Sequence, residues 1–293
     1  MYLITGEISC KLYVRKLINS KIGATGKQGS AVVKHLTGEN LKIKALVRSL
    51  DSDKSKKLQD AGIELCKGSL EDEDSVYNAL EGIEGAFLVT TPFLKGAEAE
   101  LSQGQAFVNA AKRRNLKHLV FTSVDGAERK SGVPHFDSKY EVEKLIAQAK
   151  IPTTILRPTA FYDNFPKRSD KSTSIFLGIF ESALRGKPVQ MVGVDDIGHV
   201  AADALRDPKN YIGKTIPLAG DELTVKQIQD AFGRVQGNRP WKAWIPGFML
   251  YALPYDFRTM LKWFYSSGYK ANINQLKSEH KYVKSFEEWL RSD

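Results

Sequence analysis

Apolar residues in this chain fall into short, nearly continuous runs that alternate with longer stretches in which they recur every three to four positions. Lys42-Ile-Lys-Ala-Leu-Val47, Ile63-Glu-Leu-Cys66, Gly85-Ala-Phe-Leu-Val89, Lys117-His-Leu-Val-Phe121 and Thr153-Thr-Ile-Leu156 read as strands. Residues 52–61, 72–80, 97–114 and 136–149 read as helices, and the third of these carries Leu101, Ala106, Phe107, Ala110 and Ala111 as its apolar positions. Strict alternation of this kind predicts an α/β fold, a Rossmann-type doubly wound parallel sheet with helices on both faces. The pattern divides the chain into a large domain, 1–157, and a smaller C-terminal α/β domain, 158–293. Residues 194–206, which open on Asp195-Asp-Ile-Gly198, are expected to return to the large domain, with Asp196 as a helix N-cap. The aromatic-rich stretch from Trp241 to Tyr265 is broken by Pro246, Pro254, Asp256 and Arg258 and reads as packed helices or a lid.

Ligands of such sheets lie outside the carboxyl ends of the strands. Thr90-Thr-Pro-Phe93, Thr122-Ser-Val124 and Arg157-Pro-Thr159 all fall there. So does Gly23-Ala-Thr-Gly-Lys-Gln-Gly29, which runs directly into the amphipathic Ser30–Leu36. A Gly-x-x-Gly-x-x-Gly turn opening a helix lets backbone N–H groups and the positive helix end hold a pyrophosphate. Gly23 allows the turn, Gly26 the close approach and Gly29 packing of helix on sheet. Arg48 closes the second strand, where an acidic residue would take a ribose 2′-hydroxyl and an arginine takes a 2′-phosphate. The chain is therefore expected to prefer NADP(H) to NAD(H).

The first strand does not fit the pattern. Leu17-Ile-Asn-Ser-Lys-Ile22 is too polar for a central parallel strand, and Met1–Thr5 is apolar enough but lies far upstream of the glycines. Joining Thr5 to Ile22 restores a strand and turn, so 6–21 reads as an insertion, such as a translated intron. The first 22 residues also have a faint transit-peptide composition, but removing them would delete any strand ahead of Gly23, so they are expected to be retained.

Composition narrows the partners. The formal charge is +9, which suits anionic ligands, but no basic run is interleaved with aromatics, so direct nucleic-acid binding is not expected. No apolar run is long enough to span a membrane, and no membrane association is expected. Cys10 and Cys66 make neither a metal spacing nor a disulfide framework, and no metal site is expected among the five histidines. A cytoplasmic location, with the nucleus as a second compartment, is the expectation.

Several segments taken in order resemble the NmrA-like family of atypical short-chain dehydrogenases/reductases. They are the glycine turn at 23–29, Leu46-Val-Arg48, His135-Phe-Asp-Ser-Lys139, Leu156-Arg-Pro-Thr-Ala-Phe-Tyr-Asp-Asn-Phe165, Asp195-Asp-Ile-Gly198, Ala219-Gly-Asp-Glu-Leu-Thr224 and Ser285-Phe-Glu-Glu-Trp-Leu290. The superfamily uses a Ser-Tyr-Lys set, in which the tyrosine is the general acid or base and the lysine four residues on lowers its pKa and holds the nicotinamide ribose. Tyr140-x-x-x-Lys144 has the literal spacing but stands out of register with the family pattern. That pattern assigns the lysine to Lys139 and puts His135 at the tyrosine position. An imidazole there is either a general acid or only a packing group at a helix start.

The candidate catalytic residues are thus His135 and Lys139. The candidate cofactor contacts are Gly23, Thr25, Gly26, Lys27, Gln28, Gly29, Arg48, Ser69, Thr90, Thr91, Pro92, Ser123, Lys139, Phe161 and Asn164. The resemblance implies an NADP(H)-binding redox-sensing regulator with a protein partner such as a transcription regulator. The alternative is an NADPH-dependent reductase of a small quinone or enone. A third reading, a remnant that binds neither, holds if 6–21 disrupts the glycine turn.

Overall fold

The computed structural model describes residues 1–5, 26–37, 41–92 and 96–292. The elements run β1 (Tyr2–Ile4), α1 (Lys27–Leu36), β2 (Ile43–Val47), α2 (Asp53–Asp60), β3 (Glu64–Lys67), α3 (Glu73–Ala79), β4 (Gly85–Leu88), α4 (Ala97–Arg113) and β5 (His118–Thr122). There follow α5 (Pro134–Ala149), β6 (Thr153–Pro158), β7 (Ala160–Phe161), α6 (Lys171–Leu184), β8 (Val189–Val192), α7 (Val194–Arg206), α8 (Pro208–Tyr211) and β9 (Thr215–Leu218). The chain closes with β10 (Asp221–Leu223), α9 (Val225–Gln236), α10 (Tyr255–Ser266), α11 (Ile273–Glu279) and α12 (Phe286–Arg291).

Seven strands form one parallel sheet in the order β3-β2-β1-β4-β5-β6-β9, and β10-β8-β7 form a second, small sheet. The Met1–Thr5 run supplies β1, an interior strand of the large sheet between β2 and β4, with Leu3 and Ile4 wholly buried. Residues 6–21, read as an insertion, lie outside the described residues, as do Gly23 and Thr25. One face of the sheet is covered by α1 and α7, through Val32, Leu36, Ile197, Val200, Ala201 and Leu205. The other is covered by α3, α4 and α5, through Val76, Phe107, Ala111, Val142 and Ile146. A third core, rich in Phe and Trp, fills the C-terminal lobe between α6, α9, α10 and α12.

Local chemistry sets the element ends. Ser52 and Asp72, read from sequence as first residues of helices, are N-caps whose side chains accept from the Ser55 and Asp74 amides. Asp196 is not the cap of α7. That position is Gly193, and Asp163 from the loop after β7 reaches across to accept the Val194 amide at 2.9 Å. Asp196 instead lies buried under Lys284, whose amide it accepts at 3.2 Å, and burial pushes its carboxyl up to about 6. Gly198 lets α7 touch α1, since a Cβ there would stand 2.4 Å from the Ala31 Cβ. Leu101, placed from sequence among the apolar positions of its helix, is 36% exposed, and Glu100 and Gln103 take the buried positions instead.

Candidate functional site

The carboxyl ends of β1, β2, β4, β5 and β6 share one edge of the sheet, and the amino end of α1 opens onto it. That helix starts without a capping side chain and without an acidic residue in its first turn. By contrast, α9 and α12 each begin with a full capping box. Among the described residues no side chain caps the first N–H groups of α1, an arrangement that suits an anion. Gly26 is the extended N-cap, and Gly26, Gln28 and Gly29 are all buried. Both polar atoms of the Gln28 amide are buried with no partner among the described residues. A buried amide in that state costs stability unless a ligand or water completes it. Lys27 turns outward and donates to the Asp163 carbonyl at 2.6 Å, tying the glycine turn to the Phe161–Asn164 loop. Phe161 is half-buried and Asn164 is exposed.

Arg48 is exposed as the first residue beyond β2. Ser69, two residues beyond β3, is half-buried, its amide donating to Ser75 Oγ at 3.0 Å. Thr90, Thr91 and Pro92 are buried beyond β4, and the Thr91 amide donates to Gln103 Oε1 at 3.0 Å. At the end of β5 the hydroxyls of Thr122 and Ser123 are buried with no partner among the described residues.

Lys139 has a different environment. It is 7% exposed, and its Nζ lies 2.8 Å from Glu100 Oε1 while donating to Thr90 O at 2.6 Å and Thr90 Oγ1 at 3.1 Å. An ammonium has three hydrogens, and these three acceptors account for all of them. Glu100 is wholly buried and also accepts from Thr90 Oγ1 at 2.9 Å and from Ser138 Oγ. The lysine charge is thus balanced inside the protein. One turn earlier, His135 Nδ1 meets Asp256 Oδ1 at 2.6 Å, joining α5 to the first turn of α10. Lys144 pairs with Glu141 at 2.7 Å and lies 5.6 Å from the Tyr140 ring centroid, so the literal Tyr-x-x-x-Lys is a surface arrangement apart from this network. At the end of β6, Arg157 is clamped by both oxygens of Glu143, at 3.0 and 2.6 Å, and by Glu128 at 2.6 Å.

Sequence reasoning missed Glu100, Glu143 and Asp256. For Glu100 a signal existed: 100, 103, 104, 107, 108 and 111 trace one helical face, and all are buried. Asp256 has no local signal, because its partner lies 121 positions away. Cys66 is half-buried in β3, and burial pushes its thiol up, away from the reactive thiolate. Among the described residues no helix is long and apolar enough to cross a membrane, and no cluster of His, Cys, Asp and Glu could hold a metal.

Known proteins share this architecture. The NADPH-dependent quinone oxidoreductase of Escherichia coli, solved with NADPH, superposes with a TM-score of 0.76 at 22% identity, covering 99% of this chain and 98% of that one. NmrA, a negative transcriptional regulator solved with NADP, gives 0.71 at 19% identity over 92% of each chain. In sequence, an NmrA-like family domain-containing protein of Dictyostelium discoideum is 25% identical over 92% of this chain and 95% of its own length. Quinone oxidoreductase 2 of Escherichia coli is 28% identical over 74% of each. The NmrA-like family model matches residues 20–290, and this chain belongs to that family.

Proposed function

We propose that this protein binds NADP(H) along the carboxyl edge of the large sheet and acts as a redox-reading regulator rather than as an efficient enzyme. The fit to the dinucleotide rests, among the described residues, on an α1 terminus with no capping side chain, a Gln28 amide with no partner and the exposed Arg48. In this reading the α1 N–H groups and Gln28 hold the pyrophosphate, Arg48 holds the 2′-phosphate, and Ser123 completes the nicotinamide end. Bound NADP(H) supplies or withdraws a hydride. The observation that carries the regulator reading is Lys139. Its hydrogens are spent on Glu100 and Thr90, and no tyrosine stands one turn before it for it to activate. Residues 6–21 are taken as an insertion between β1 and the glycine turn, and 158–293, apart from 194–206 and β9, which belong with the large sheet, as the lobe that meets the partner.

A second reading, an NADPH-dependent reductase of a quinone or enone, is favoured by the His135–Asp256 pair. A carboxylate on Nδ1 fixes the imidazole so that Nε2 is the proton-handling atom. Calorimetric titration with NADPH, NADP and NADH, followed by NADPH-consumption assays over a quinone panel, tests both. Binding without turnover is the result the regulator reading expects. Turnover lost in His135→Ala and Lys139→Ala, with cofactor binding retained, would establish the reductase. Absence of binding would overturn both.

A further inference from the structure

Exposed apolar side chains are concentrated in one place. Of the ten large hydrophobic residues exposed among the described residues, six fall within 241–255: Trp241, Trp244, Phe248, Met249, Tyr251 and Tyr255. Trp244 is 86% exposed. The backbone beneath them is fixed to the lobe. The Ala243 amide donates to the Ser174 carbonyl at 2.9 Å, and the Ala243 carbonyl approaches so closely that a Cβ on Gly178 of α6 would meet it at 2.3 Å. Lys242 pairs with Glu181 of α6 at 3.2 Å. Ile245, Leu250, Leu253 and Phe257 pack inward on the aromatic core. The segment is therefore a built shelf, apolar on its inner side and again on its outer side.

The outer side has the composition of a protein–protein interface core, which favours Trp, Tyr, Phe, Met and Arg. Arg258 lies 5.3 Å from the Tyr251 ring and 5.7 Å from the Tyr255 ring and donates to the Tyr251 carbonyl at 3.3 Å, so these three form one face. Six such side chains, half to nine-tenths exposed, offer on the order of 800 Å², one partner's share of an ordinary stable interface. Charge then selects the occupant. Residues 231–271 hold six basic residues and one acidic residue, Asp256. Three of the six are balanced by neighbouring elements: Arg234 by Glu287, Arg239 by Asp230 and Lys242 by Glu181. Among the described residues Arg258 and Lys262 meet no carboxylate. A second copy of this face would bring like charges together.

We propose that the surface from Trp241 to Lys262 docks a protein segment in which carboxylates alternate with apolar side chains, the carboxylates reaching Arg258 and Lys262. This gives the partner of the regulator reading its chemistry and rests on that reading for its purpose, but it is tested without dinucleotide, so either can fail alone. The full chain, immobilised, is used to select from a random short-peptide library, and the selected peptides are titrated in solution by tryptophan fluorescence. Enrichment of Asp and Glu beside Leu, Phe or Trp is expected. Affinity should fall about tenfold or more for Trp244→Ser/Phe248→Ser and for Arg258→Glu, and Arg258→Lys should recover part of the second loss. Trp244 and Phe248 are exposed and Arg258 is half-buried, and circular dichroism checks that each variant is folded. Enrichment without acidic residues, or binding unchanged in these variants, overturns the proposal. Concentration-dependent dimers lost in Trp244→Ser/Phe248→Ser would overturn it in favour of a second copy. Binding to phosphatidylserine vesicles lost in the same variant would overturn it in favour of a membrane surface.

Discussion

The two ends of the cleft are built to opposite rules. At the start of α1, among the described residues, polar groups are left unfinished: helix N–H groups without a capping side chain and a buried Gln28 amide without a partner. Around Lys139 every hydrogen is spent, on Glu100 and Thr90, and Glu100 is in turn filled by Ser138 and Thr90. An unfinished polar site is one that a ligand completes, whereas a finished one has little left to offer a substrate. The contrast teaches that two regions along one sheet edge can differ in whether their polar groups are already satisfied. Here, among the described residues, those of the first are open and those of the second satisfy one another.

The strongest way to break the contrast is to fill the open end. Gly26→Val places a branched side chain at the extended N-cap of α1, and we expect NADPH affinity to fall by about a hundredfold or more. Circular dichroism separates this loss from misfolding. Unchanged affinity in a folded variant would remove the glycine turn from the account.

The closed end is tested by removing its cation. Lys139→Ala leaves the wholly buried Glu100 carboxylate without its counter-charge, which should cost about 3–5 kcal/mol in chemical denaturation. Glu100→Gln/Lys139→Met removes both charges and should regain most of that. NADPH affinity should change by less than about threefold in the double variant; a tenfold loss would show that Lys139 holds the ribose.

A control lies at the other edge of the sheet. His118 opens β5, buried, with Nε2 2.8 Å from Thr154 Oγ1, and burial pushes its pKa down from 6.5 to about 4. A depressed imidazole stabilises the fold fully above pH 6.5, and that contribution is lost as pH falls toward 4. The loss is on the order of 3 kcal/mol. His118→Asn should flatten the fall in melting temperature across this window while leaving NADPH affinity at pH 7 unchanged. A fall as steep in the variant as in the parent would contradict it.

The smallest effect is also the most selective. Arg48→Glu should weaken NADPH about ten- to thirtyfold and leave NADH nearly unchanged, because only the 2′-phosphate meets the altered charge. Equal losses for the two would show that Arg48 does not read the phosphate.

How much of this was legible in the sequence follows from the range of each interaction. Period and caps are local, so β2 to β6 and α2 to α5 could be read to within one or two residues, while α1 starts at Lys27, three residues before the amphipathic run at Ser30; other errors were caps such as Ser52 and Asp72, assigned to the helices they precede. The interior strand β1 was harder, because Tyr2–Ile4 stands far upstream of the glycine turn in sequence. The strands β7 to β10 escaped notice because each is only two to four residues long, and β7, β9 and β10 are at most partly buried and show no continuous apolar run. The glycine turn and Arg48 stand out in the sequence because a dinucleotide fold fixes their spacing, and Gly23 and Thr25 lie outside the described residues. Glu100 was visible only as a carboxylate on the buried face of α4, and Asp256 not at all, since tertiary packing alone brings it to His135.

The most direct measurement sets the two ends of the cleft side by side in one sample: calorimetric titration of the unaltered protein with NADPH, followed at saturation by NADPH oxidation in the presence of a quinone. The account predicts saturable binding with no oxidation above that of the quinone and NADPH alone. Saturable binding with rapid oxidation that disappears in His135→Ala would contradict it and make the closed end a working catalytic site.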